Sequence, residues 1–322
     1  MISRRQLRIK VLQTLYAYYN TDGSEISKSE KELHFSINKA YELYHYLLIL
    51  IVDVILYAES RIEIARNKKI PTYEDIHPNT RFVDNRIITL IRENADLLRY
   101  VGQHKLNWAN YPELIREIYG EIIADEAYAA YMAAAESDFD EDKKILIRIY
   151  NQIILPNENL DQVLEEQSIF WNDDLEYIVS MVVKTIKRFR ENDSADKELL
   201  PMYKNEEDKD FAIQLFRNAL MHREEYLGYI RDNTRNWDLE RIAFLDILIM
   251  QMAIAEMITF SSIPTKVTLN EYLDIAKFYS TEKSNVFING VLDKIMAQLK
   301  AEKKLVKKGR GLIGEVEPET EE

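Results

Sequence analysis

Two groups of residues stand out for the chemistry they could do. Arg4, Arg5, Arg8 and Lys10 put four cations into the first ten residues, and no acid appears before Asp22, in a chain whose net charge is −13. Cations in the first turn of a helix oppose its macrodipole at about 0.3–1 kcal/mol each, so a compensating anion is expected. Arginine makes bidentate contacts to phosphate and stacks on bases, which makes RNA a natural ligand for such an arm. A solvated, frayed chain start is the other reading open at this point. The second group opens a later helix. From Ser284 onward Ile288, Val291, Leu292, Ile295 and Leu299 share one stripe, and Phe287 lies about 100° round the axis from Ile288. An aromatic ring at a helix start beside Lys283 offers a face to a base, while the free backbone amides there favour phosphate. Packing of Phe287 against a neighbouring helix is the alternative.

Little else in the sequence points to chemistry. There is no cysteine, which removes disulfides, thiolate metal sites and cysteine nucleophiles. His34, His45, His77, His104 and His222 are scattered, without the i+3 or i+4 partners of a metal motif. No P-loop and no G-x-S-x-G is present. Gly309, Gly311 and Gly314 satisfy G-x-G-x-x-G, but no strand precedes them and only eight residues follow, so a dinucleotide site is not expected. No catalytic residue, cofactor or metal is therefore expected.

The elements that must position these residues are helices. With 8 Gly and 7 Pro in 322 residues, turn chemistry is scarce, and period-3.6 patterning runs almost throughout. Helices are expected over about 3–20, with Ser3 and Gln6 spaced as a capping box, then 27–67, 81–106, 112–135, 142–155, 172–191, 206–233, 237–260, 268–279 and 284–303. The helix from 237 is apolar nearly all round. Its polar residues Arg241, Asp246, Gln251 and Glu256 spiral about the axis, so it should be central, with Asp246 and Glu256 paired internally or reaching a partner. Linkers are expected around Gly23, at Pro71 to Pro78 and over 192–205. The most apolar run, Leu43 to Ala58, is interrupted by His45 and Asp53 and is too short to span a bilayer. No apolar segment follows the basic start, so no secretory signal is expected and the cytoplasm is the expected location.

The opening SRRQLRIKVLQTLY, the block WDLERIAFLDILIMQMAIAEM and the block IPTKVTLNEYLDIAKFYSTEKSNVFINGVLDKI resemble the NusB family of transcription antitermination factors. Pro264, Lys266, Val267, Asn270, Glu271, Ala276, Lys277, Ser284, Phe287 and the run from Asn289 to Lys294 sit at that family's spacing. The resemblance covers about 100 residues. It implies an all-α fold, a NusB-like helical bundle formed by 1–20 plus 206–303 and split by a large helical insertion, 21–205, with a disordered charged tail over 304–322. Long insertions of this kind are a feature of the Bacteroides-type members, which the chain resembles most.

The resemblance also implies a function: binding of the single-stranded boxA element of ribosomal RNA leaders together with the ribosomal protein NusE, within the transcription elongation complex. It assigns Arg4, Arg5, Arg8, Lys10, Lys283 and Phe287 to RNA, and Asp246 and Tyr16 to NusE. The chain departs from the family pattern at Lys283, where an acid is common, and at Gln251 and Ala255, where Arg and Tyr are common. Two other classes compete. One is a helical protein-protein adaptor with reduced RNA binding. The other is an RNA-binding domain related to ribosomal RNA cytosine methyltransferases, although only 28 residues follow Lys294 and no cysteine nucleophile exists.

Overall fold

A chain this poor in glycine and proline has few places to stop a helix, and in the computed structural model helices account for nearly all of its regular structure. The structure describes residues 1–21, 25–134, 138–234 and 242–314. In chain order the helices are α1 Arg4–Asn20, α2 Ile26–Arg66, α3 Tyr73–Ile76, α4 Arg86–Arg92, α5 Ala95–His104, α6 Pro112–Ala124, α7 Glu126–Ala133, α8 Phe139–Ile149, α9 Glu158–Gln167, α10 Leu175–Arg188, α11 Glu206–Met221, α12 Arg223–Asn233, α13 Phe244–Thr259, α14 Thr265–Tyr279 and α15 Ser284–Ala301. The described residues contain no strand.

Several expected helices divide, and the divisions have local causes. The helix expected over 81–106 becomes α4 and α5, because the Asn94 side chain accepts from the Leu97 amide and caps a new start. The one expected over 112–135 breaks at Asp125, whose carboxylate caps the amides of Ala127 and Tyr128. Of the helix expected from 237, the stretch 235–241, Arg241 among it, lies outside the described residues, and Ile242 and Ala243 precede the helix, which starts at Phe244. Helix α14 begins three residues before the expected 268, because Pro264 is well placed at a helix start, where its missing N–H costs nothing.

The chain divides into two units, Ile2–Ile37 with Tyr203–Glu322, and Met1 with Asn38–Met202. The first division falls inside α2 and not in the loop at Gly23, which itself lies outside the described residues. No glycine or proline interrupts Ile26 to Arg66. The first turns of α2 bury Leu33 and Ile37, and Glu30 pairs with Arg217 of α11. The tail also departs from expectation. Over 304–314 it is held by the fold: Lys304 pairs with Glu225, the Lys307 ammonium meets the carbonyls of Met257 and Phe260, and the Lys308 amide donates to the Ser261 carbonyl.

In the first unit α13 is central, as its all-round apolar sequence requires, packed by α1, α11, α12, α14 and α15. Every residue from Leu248 to Met257 is buried. The second unit has its own core. Tyr44, Leu47, Leu50, Ile51 and Val54 of α2 are buried there, with Ile149 at the end of α8, Tyr150 and Ile154 just after it, and Ile178, Val182 and Ile186 of α10. Two of its large buried side chains place their polar atoms on backbone: the Trp108 indole donates to the Tyr46 carbonyl at 3.0 Å and the Tyr150 hydroxyl to that of Leu47 at 2.8 Å.

Candidate nucleic-acid interface

Helix α1 starts on Ser3, whose hydroxyl accepts from the Gln6 amide, and no acid occupies its first turn. The compensation that its arginines demand comes from three other helices. Arg4 reaches Asp208 at 2.7 Å and Glu207 at 3.4 Å, both in the first turn of α11. Arg5 holds Glu271 with two bonds of 2.9 and 3.0 Å and Asp274 at 2.9 Å, on α14. Those carboxylates, with the Glu271 hydrogen bond foremost, raise the Arg5 pKa above its ordinary value.

Arg8 goes inward. Its guanidinium makes two 2.7 Å bonds to Glu256 of α13 and lies over the rings of Phe211 and Tyr272. Burial alone would lower its pKa, but the Glu256 charge and hydrogen bonds override that and hold it above the ordinary range. Glu256 also accepts from the Thr268 and Tyr272 hydroxyls, so this fully buried carboxylate is completely satisfied. This corrects the expectation for Arg8, whose side chain is 3% exposed and cannot meet a phosphate. Lys10 is corrected likewise: it is 1% exposed. Together Arg4, Arg5 and Arg8 face five carboxylates, and the cluster is neutralised within the fold.

The start of α15 is arranged differently. Asp246 accepts from the Ser280 and Ser284 hydroxyls, the latter at 2.9 Å, and Ser284 is also bonded to Thr281. A buried carboxylate thus pins the turn between α14 and α15. Asp246 is 5% exposed with both oxygens engaged, so of the two placements expected for it, internal pairing or reaching a partner, the described residues supply the first. Lys283, the residue before the helix, is exposed and makes no ion pair among the described residues. Phe287, one turn later, is half-buried, and no acid stands in the first turn. Tyr16 is 45% exposed and meets Phe244, itself 36% exposed, at a ring separation of 5.9 Å, with Tyr19 on the other side of Phe244.

A cleft of about 570 Å³ lies beside the arginines, lined by Ser3, Arg4, Arg5, Pro264, Val267, Glu271, Arg310 and Ile313 among others. Arg310 and Ile313 belong to the stretch expected to be a charged tail. No group of His, Asp or Glu side chains among the described residues is arranged to hold a metal ion, and no helix described is long and apolar enough to cross a membrane. His45 is buried between Tyr41, Tyr44 and Tyr100, and burial lowers its pKa to about 4.

Residues 176–297 match the NusB family model. A transcription antitermination protein NusB of Salinibacter ruber is 37% identical over 139 residues, which is 41% of this chain and 87% of that protein. The chain belongs to the NusB family. The NusB of Chloroherpeton thalassium is 39% identical over 33% of this chain and 50% of its own length, and that of Clostridium botulinum 29% identical over 48% of this chain and 97% of its own. No solved structure matches the chain. The matched region contains α11 to α14 and all but the end of α15, so the α15 start belongs to the part shared with the family. Much of 38–202 lies outside it.

Proposed function

We propose that this protein is an RNA-binding transcription antitermination factor of the cytoplasm, binding boxA-like single-stranded RNA of ribosomal RNA leaders together with the ribosomal protein NusE. The observation that carries the reading is the start of α15. A cation without an ion pair among the described residues and an aromatic ring sit there at a helix start whose first turn carries no acid, locked from below by Asp246 and preceded by the exposed Glu282. Phosphate meets Lys283 and the first-turn amides, and a base lies against Phe287. Arg4 and Arg5, on the cleft at the other end of α14, are tethered cations able to exchange a carboxylate for a phosphate. Arg8 and Lys10 serve from beneath, holding α1 in place. Tyr16 with Phe244 offers the aromatic face for NusE.

Membership of the family supports this reading, because its relatives are transcription antitermination proteins by name. The test is fluorescence anisotropy with a labelled boxA-like RNA, with and without NusE. Binding that tightens when NusE is added is expected. RNA affinity equal to that for a scrambled RNA, unchanged by NusE, would overturn the proposal in favour of an adaptor without RNA recognition.

A further inference from the structure

The α1 arginines are neutralised internally, but a second cationic stretch follows α15. Between Glu302 and Glu315 the chain carries Lys303, Lys304, Lys307, Lys308 and Arg310 and no acid. Two of these cations dock the segment. Lys304 is tied to Glu225 and to the Tyr229 hydroxyl, and the Lys307 ammonium caps the last carbonyls of α13 at 2.8 and 3.1 Å. The backbone completes the docking, with the Lys308 amide 2.9 Å from the Ser261 carbonyl. Gly311 is pressed so close that a Cβ there would overlap the same carbonyl. That close approach accounts for a glycine at 311 without any dinucleotide site. Lys308 and Arg310 are left exposed, and neither makes an ion pair among the described residues. Arg310 lines the cleft with Ser3, Arg4 and Arg5, and the side chain of Lys266, also exposed, lies near Gly314.

We propose that the segment Lys303–Gly314 is a second RNA-contact surface, in which Lys308, Arg310 and Lys266 take the phosphates of nucleotides flanking the element bound at the α15 start. The proposal rests on the RNA-binding reading above and extends it. The cleft suits single-stranded RNA, because its walls Ile263, Pro264, Val267 and Ile313 are apolar and its rim carries Arg310, without an ion pair among the described residues, across from Arg5 and its partner Glu271. An unstacked base needs such a wall and its phosphate needs such a rim. The two surfaces are also continuous. Helix α14 runs from the cleft at Thr265 to Tyr279, shortly before Lys283, a length of about 22 Å. Its exposed residues Val267, Asn270, Lys277 and Phe278 mark the open edge, with Arg5 bound midway on Glu271 and Asp274.

The test compares the full chain with the double variant Lys308→Ala, Arg310→Ala. The probes are two labelled RNAs, the boxA-like element alone and the same element extended by six uridines on each side, each titrated over a range of salt. Neither replaced side chain docks the segment, and circular dichroism should give the parent melting temperature. The parent should bind the extended RNA more tightly than the element alone. The variant should lose about fivefold or more on the extended RNA, with a salt slope shallower by about 1.4, and should match the parent on the element alone. Arg310→Lys should keep the parent slope. Equal behaviour of parent and double variant on the extended RNA overturns this inference while leaving the RNA-binding reading intact. An equal loss on both RNAs assigns the cations to a general field and also overturns it. A variant that keeps both RNA affinities but no longer associates with NusE makes the cleft a protein-docking site instead. Failure of the parent to bind either RNA, with or without NusE, removes both readings.

Discussion

Phe287 and Arg8 separate two roles that look alike in sequence. Phe287 is half-buried at the edge of the α15 stripe. Phe287→Ala should cost about 1–3 kcal/mol of RNA affinity, with little change in melting temperature. A large fall in melting temperature with RNA binding intact would make the ring a packing residue. Arg8 is the opposite case. Removing one partner of a buried ion pair costs roughly 3–5 kcal/mol, whereas an exposed pair such as Arg5 with Glu271 contributes under about 1 kcal/mol. Urea denaturation should therefore find Arg8→Ala strongly destabilised and Arg5→Ala nearly unaffected. A stable Arg8→Ala protein that loses RNA affinity would contradict the buried placement. The sequence makes legible that Arg4, Arg5 and Arg8 require anions. It does not say that those anions are Asp208, Glu256 and Glu271, because each lies two hundred or more residues away and only the packing of α1 on α11 and α13 brings them together.

At the scale of elements, Asp246 holds the turn between α14 and α15 from α13, and the proposed RNA contact depends on that turn. Asp246→Ala removes the carboxylate that accepts from the Ser280 and Ser284 hydroxyls, at about 1.5–3 kcal/mol for a hydrogen bond to a charged group. RNA affinity should drop while the salt slope stays constant, since Asp246 touches no phosphate. Lys283→Ala should instead flatten the slope by about 0.7. A flattened slope in Asp246→Ala would indicate that the whole cationic face has moved. The central position of α13 and the internal pairing of Glu256 are legible in its spiralling polar residues. The π-helical turn Tyr150–Ile154 and the short helices α3 and α9 are not. The two short helices arise from local capping, Thr72 with Asp75 and Asn157 with the Leu160 amide, while the π-helical turn continues α8 within the stretch expected to be one regular helix.

At the scale of the whole molecule, the chain interrupts one helical unit with another. The interruption is legible as a long stretch without family resemblance, but its first boundary is not, because α2 runs through it without a break in helix-forming residues. The two ends of the unit 38–202 lie close together, as the Tyr41 hydroxyl donates to the Leu200 carbonyl at 2.8 Å. Joining Ile37 to Tyr203 by a short flexible linker should therefore leave a soluble helical protein that still binds boxA-like RNA with NusE. Aggregation of the shortened chain, or loss of RNA binding with helicity kept, would make 38–202 part of the core or of the RNA site. The most direct measurement is photo-crosslinking of the full chain to a boxA-like RNA carrying 4-thiouridine in the presence of NusE, with the attached peptides mapped by mass spectrometry. The account predicts crosslinks at Lys283 to Phe287 and along Lys303 to Gly314. Crosslinks confined to 38–202, or none above those of a scrambled RNA, would contradict it.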